Sequence, residues 1–191
     1  APSGWIGRVS HDGKLLSGGP IASGDAESSL YEVAIGDHDT AFAVGSSQVN
    51  ALARRRWIVA VNLAGKVLWA RKPAAFGGVR LVAVQAEAGG LVAAGNTVQY
   101  GVDSVWAGRF TSTGTEVWGR IYGPKWLGAP GWVKRGVLLR AKDGGMFVGL
   151  GTNDLTPTKG PGPAAVVLRT GPRGEVSGVE AGKALVEALK A

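Results

Sequence analysis

The chain has 191 residues, 45% hydrophobic and 18% charged, with 32 glycines, seven tryptophans and no cysteine. This balance predicts a globular domain rather than a disordered one, and zero cysteines exclude disulfides, thiolate metal sites and thiol catalysis. The net charge of +7 is uneven: residues 1–50 hold Arg8 and Lys14 against six acidic residues, net −4, which leaves +11 for the remainder.

No window approaches the roughly 18 continuous apolar residues of a membrane span, so the expectation is a protein not integral to a bilayer. The opening APSGW, without an initiator Met, reads as the start of a processed chain and predicts a periplasmic or extracellular location. From Trp5, WIGRVSHDGKLLS alternates apolar and other residues on both sides of a glycine turn, as a hairpin with one buried face requires. Ser10, His11 and Asp12 are the residue types of a hydrolase triad. Contiguous in a turn, they are expected to be turn residues and not a nucleophile, base and orienter. A second hairpin ends in DTAFAVGSS (Asp39 to Ser47). Asp37, His38 and Asp39 lie at its start, and alternation predicts a solvated turn in preference to a metal site.

Arg54, Arg55 and Arg56 form the only basic run, placed in the connection before Trp57 as a candidate phosphate or acidic-partner contact. Trp57 opens WIVAVNLAGKVLW and Trp106 opens WAGRFTSTGTEVW, with GGLVAAGNT between them. Gly13, Gly65 and Gly114 each lie eight positions after their tryptophan, and Gly174 lies eight after Val166, giving spacings of 52, 49 and 60 residues. A period near 50 marks a propeller or solenoid array, and two hairpins per unit make a four-stranded blade. The fold expected is therefore all-β, with propeller-type four-stranded antiparallel blades, about three and a half per chain. The units are approximately 5–56, 57–104, 105–162 and 163–178. Trp57, Trp69, Trp106 and Trp118 recur at matching positions and are expected to be buried structural residues, with Trp57 nearly opposite Trp69 and Trp106 nearly opposite Trp118.

The candidate binding loop lies in the third unit, where GPKWLGAPGWVKR brings Tyr122, Lys125, Trp126, Trp132, Lys134 and Arg135 into a long connection. Aromatics and arginine dominate binding hot spots, and tryptophans also stack on sugars. DGGMFVGLGT ends that unit's second hairpin, and TNDLTPTKGPGP reads as a polar surface loop. The tail opens on a capping-box pattern, Ser177 to Glu180, and then sets Gly182, Leu185, Val186 and Leu189 at helical spacing. A C-terminal helix over 179–191 is expected.

The strings VNLAGKVLW and FTSTGTEVW resemble the tryptophan-docking repeat of the PQQ-like quinoprotein propellers, and the DGG-type hairpins are similar to those of secreted bacterial propeller repeats. The resemblance implies blades and no particular chemistry, because this repeat builds dehydrogenases, assembly lipoproteins and sugar-binding proteins alike. No catalytic, metal or cofactor residue is assigned and no cofactor is expected; no nucleic-acid pattern of interleaved aromatics and charges is present. The first functional expectation is a non-enzymatic scaffold or accessory subunit working through protein contacts, with a different partner chain favoured over a homodimer. The rivals are a carbohydrate-binding module using Trp126 and Trp132, and a non-catalytic part of a quinoprotein-like or hydrolytic enzyme.

Overall fold

The computed structural model describes residues 3–50, 53–73, 80–99, 102–122, 133–152 and 165–176. Among them are thirteen β-strands in four antiparallel sheets, and no helix. The first sheet is the hairpin of β1 (Gly4–Val9) and β2 (Leu15–Ile21). The second is a meander of β3 (Glu27–Ile35), β4 (Thr40–Asn50), β5 (Ala53–Asn62) and β6 (Val67–Arg71). The third repeats it with β7 (Arg80–Glu87), β8 (Gly90–Gln99), β9 (Val102–Thr111) and β10 (Glu116–Tyr122). The fourth holds β11 (Val133–Arg140), β12 (Met146–Thr152) and β13 (Ala165–Thr170).

The recurring glycines set the turns. In each turn ending at Gly13, Gly65, Gly114 or Gly174, the glycine N–H donates to the carbonyl three residues earlier, and that earlier residue's N–H takes the carbonyl just beyond the glycine. These glycines have φ between 73° and 84°, the left-handed region that L side chains avoid. A bulge follows in each complete hairpin at one repeat position, leaving Leu16, Leu68 and Val117 out of the pairing and exposed. Such a bulge bends its strand and adds local twist.

Three apolar layers lie between the four sheets. Ile21, Ala41, Trp57, Val59 and Val61 fill the first interface, with Ile6 and Leu30 against them. Phe42, Val44, Ile58 and Ala60 meet Leu81, Val84, Leu91, Trp106 and Phe110 in the second. Val82, Val92, Val105 and Tyr122 meet Leu138, Met146, Val148 and Leu168 in the third. Alternation along the central strands feeds both sides: on β5, Trp57, Val59 and Val61 turn back to the first sheet, while Ile58 and Ala60 turn forward to the third. A sheet covered on both faces therefore reads as a continuous apolar run, as IVAV does here.

The structure departs from the sequence expectation in its grouping. The sheets do not begin where the repeat units begin: β4 pairs with β5 over its whole length, so the second hairpin of one unit joins the first hairpin of the next. As a result only two sheets have four strands, and no apolar layer joins the first sheet to the fourth among the described residues. The tryptophans are not opposite one another. Trp69 faces Ala60 and Trp118 faces Arg109, because the bulge shifts the register. Trp57 and Trp106 are buried as expected, but Trp69 and Trp118 are only partly buried, since their rings reach past the edge of their own sheet. Residues 179–191, where the helix was expected, lie outside the described residues.

Candidate functional site

Successive sheets are joined by one repeated device. The Trp69 indole donates to the carbonyl of Ser112 at 2.7 Å, and the Trp118 indole to that of Pro172 at 3.2 Å. Each acceptor is the second residue of the glycine turn in the following sheet. Two residues on, Arg71 donates to Thr113 O at 3.3 Å and Arg120 to Arg173 O at 2.9 Å, the third residue of the same turns. The glycine that closes each turn is the seat of the ring: a Cβ on Gly114 would stand 2.9 Å from Trp69, and one on Gly174 would stand 2.7 Å from Trp118. Ser17 occupies the corresponding place in the first sheet, and its hydroxyl donates to the second turn residue, Leu63 O, at 2.9 Å.

A second device looks the other way. Trp106 lies over Gly108 and Gly119 of its own sheet, its ring filling the space that their side chains would need. Arg56, from the preceding sheet, covers the ring with its guanidinium 4.0 Å from the centroid. Arg56 is 5% exposed, and burial brings its pKa down to about 10 against the opposing pull of Glu116. In the first sheet Trp5 lies over Gly7 and Gly18 in the same way, 101 positions earlier in all three residues. Trp5 remains 57% exposed. At the far end, Val137 and Leu139 of the fourth sheet are exposed on the face turned away from the third.

These placements locate some of the residues singled out in the sequence. Arg54, Arg55 and Arg56 lie on β5 and not in a connection, because strand pairing runs through them opposite Gln48, Ser47 and Ser46. Arg56 is engaged inside the fold, Arg54 reaches Ser46 Oγ at 3.5 Å, and Arg55 faces solvent. Tyr122 ends β10 in the core of the third interface, where its hydroxyl donates to Gly174 O at 2.6 Å and burial raises its pKa. It is a structural anchor rather than a loop residue. Lys134 and Arg135 belong to β11, with Lys134 at a bulge. Lys125, Trp126 and Trp132 lie outside the described residues.

Ser10 Oγ donates to Asp12 and receives the Lys14 N–H at 3.0 Å, which closes the turn and pulls the Asp12 pKa down. His38 and Asp39 adopt φ of 53° and 57° in the β3–β4 turn, doing without glycine what Gly89 and Gly144 do in the corresponding turns. Among the described residues no group of three or more His, Cys, Asp or Glu is placed to hold a metal ion, and no helix is long and apolar enough to cross a membrane.

The richest polar cluster is structural in its contacts. Arg109 pairs with Glu87 through Nε at 2.7 Å and Nη2 at 3.1 Å, and donates to Pro172 O at 2.9 Å and Gly144 O at 3.2 Å, tying the third sheet to the fourth. Sequence reasoning missed the open features: Trp5, Val33 (52% exposed) and Ile35 (69% exposed). The signal available for Trp5 was its repeat position, which it shares with Trp57 and Trp106. Searches against protein-family models and curated proteins find no match to this chain.

Proposed function

We propose that the chain is a non-enzymatic, propeller-type scaffold or accessory subunit that works through protein contacts at its uncovered faces. One observation carries the reading: Trp5 is set on Gly7 and Gly18 as Trp106 is set on Gly108 and Gly119, yet among the described residues only Trp106 has a neighbouring sheet over it. A large aromatic held flat and left 57% exposed is the composition of an interface hot spot, where Trp and Arg dominate. The four sheets act as successive blades of an array, with Trp5 on the first and Val137 and Leu139 on the fourth exposed for further contact. A location outside the cytoplasm belongs to the same reading.

The test places a photoreactive phenylalanine analogue at position 5 in cells of the source organism. A discrete adduct with a polypeptide is expected. Recovery of the chain at single-chain mass, with no polypeptide adduct, would overturn the reading.

A further inference from the structure

The indole seats of the second and third interfaces have a counterpart in the first that holds no ring among the described residues. Ser17 stands where Trp69 and Trp118 stand, and the turn it reaches is the one closed by Gly65. A Cβ on Gly114 or Gly174 would run into an indole at 2.9 or 2.7 Å, whereas one on Gly65 would meet nothing nearer than the Gly18 N at 3.7 Å. A second position is smaller here than in the other two interfaces. Ala41, paired with Ile35 and Val61, holds the place that Leu91 holds between Ala86 and Phe110 and that Met146 holds between Arg140 and Thr170. The result is a groove of about 300 Å³ between the first two sheets, walled by Ser17, Ala41, Val61, Leu63 and Gly65 and open along Val33 and Ile35.

The chain's own aromatic residues cannot supply the ring. Those outside the described residues are Phe76, Tyr100, Trp126 and Trp132. Each is within four residues of a strand end, at Arg80, Gln99, Tyr122 or Val133, and these ends belong to the third and fourth sheets, beyond the second sheet from the groove and away from the glycine turns. Four residues span at most about 14 Å, less than two sheet layers and the length of a strand together. Nor does the seat depend on how many strands the first sheet has. In the second interface both sheets have four strands, and Trp69 still occupies this place, with Phe42 of β4 beside it at 6.0 Å between ring centroids. Further strands on the first sheet would therefore wall the groove and leave the seat.

From this we infer that the groove is a binding site for a small flat aromatic molecule of the indole class, carrying one N–H donor. Its ring lies against the Gly65 turn as the Trp69 and Trp118 rings lie on theirs, and its N–H donates to Leu63 O, the second residue of that turn. This carbonyl receives the Ser17 hydroxyl at 2.9 Å and has a second lone pair. The matching carbonyl of Pro172 takes two donors, Trp118 Nε1 at 3.2 Å and Arg109 Nη1 at 2.9 Å. Arg8 is the one charged residue lining the groove, and a guanidinium over an aromatic face adds to binding. The volume is at the small end of the range for ligand pockets, about 300–1,000 Å³, which suits a bicyclic ring. The site is separate from the protein-contact reading: Trp5 lies on the opposite face of the first sheet from Ile6 and the groove, so either can fail alone.

The experiment titrates indole and 1-methylindole into the intact protein, with binding read by saturation-transfer NMR and by the thermal midpoint. Indole is expected to bind saturably and to raise the midpoint. The methylated probe, which has no N–H, is expected to bind about fivefold more weakly, the loss of one neutral hydrogen bond. Ser17→Trp seats its own ring on the Gly65 turn, as positions 69 and 118 do on theirs, and is expected to weaken indole about tenfold or more. Where circular dichroism shows that this variant does not fold, Ala41→Leu, which installs the residue of the second interface, replaces it with the same expectation. Absence of saturable binding to the unmodified protein, equal binding of the two probes, or undiminished binding to the filled variant would each overturn the inference.

Discussion

The guanidinium of Arg56 stands 4.0 Å from the centroid of the Trp106 ring, so a cation from one sheet caps an aromatic ring of the next inside a buried interface. A desolvated pair of this kind contributes about 2 kcal/mol. Arg56→Met, which keeps the stem and removes the charge, is expected to lose about that amount, offset in part by the relieved burial of a cation. Arg56→Lys is expected to do no better than Met, because an ammonium cannot lie flat on an indole. Urea denaturation of the three proteins checks this; Lys matching the wild type would show that charge and not planarity matters.

Trp5, Trp57 and Trp106 share a repeat position but not an environment. Trp57→Ala and Trp106→Ala are expected to cost about 3 to 5 kcal/mol, as loss of a buried large aromatic does. Trp5→Ala is expected to stay within about 0.5 kcal/mol of wild type, the usual range for surface changes. Thermal denaturation monitored by far-ultraviolet circular dichroism separates the two classes.

The glycine turns allow a cleaner comparison. Gly13 and Gly114 have nearly equal φ, 82° and 80°, so alanine at either adds the same backbone strain, about 1 to 2 kcal/mol. A Cβ at Gly13 meets nothing within 4 Å, whereas at Gly114 it stands 2.9 Å from the Trp69 ring. Gly114→Ala is therefore expected to be worse by a further 1 to 3 kcal/mol or so, the usual cost of overpacking. Equal losses for the two variants would mean that the seated ring contributes nothing.

Glu32 lies between the second and third sheets, where its carboxylate accepts the Val84 N–H at 2.6 Å. Burial raises its pKa more than this bond lowers it. A carboxyl raised above its unfolded value holds its proton more tightly in the fold, so its ionisation takes stability away as pH climbs from the ordinary glutamate range through the raised value. Glu32→Gln keeps the acceptor and removes the charge. It is expected to raise the melting temperature at neutral pH, with the gain shrinking as pH falls below the ordinary glutamate pKa; a gain that is constant with pH would remove the burial argument.

Much of the architecture was legible because hairpins are local. Alternation around Gly13, Gly65, Gly114 and Gly174 fixed the turns, and all four adopt the same hydrogen bonding. Which hairpins share a sheet was not legible, since the link from β4 to β5 spans only residues 51 and 52 and looks no different in sequence from a link between sheets. The basic run misled for a related reason. Three adjacent arginines read as a solvated connection, yet pairing with β4 makes them a strand, and alternation then sends Arg55 to water and Arg56 into the core. Ser17 stands where Trp69 and Trp118 stand in their sheets, and a serine bears no resemblance to a tryptophan in sequence, yet its hydroxyl finds the same turn carbonyl that their indoles find. The open groove at Val33 and Ile35 was hidden, because an exposed valine on a strand has the same sequence as a covered one.

The seating of Ser17, Trp69 and Trp118 always runs from an earlier sheet to the turn of a later one, never in return. Such a series has a direction, like overlapping roof tiles. Each turn is held down by the sheet before it, so loosening one sheet releases the tile ahead of it and leaves the one behind in place. Removal of the first hairpin would free the turn at Gly65 while Trp69 and Trp118 stayed seated, and fraying would advance along the chain one layer at a time in the manner of nearest-neighbour arrays. Resistance to mechanical extension is therefore unequal at the two ends: a pull on the N-terminal hairpin strains the bonds from the Ser17 hydroxyl and the Gly4 N–H across the sheet boundary, whereas a pull beyond β13 must break the bonds that Arg109, Trp118, Arg120 and Tyr122 make to one turn.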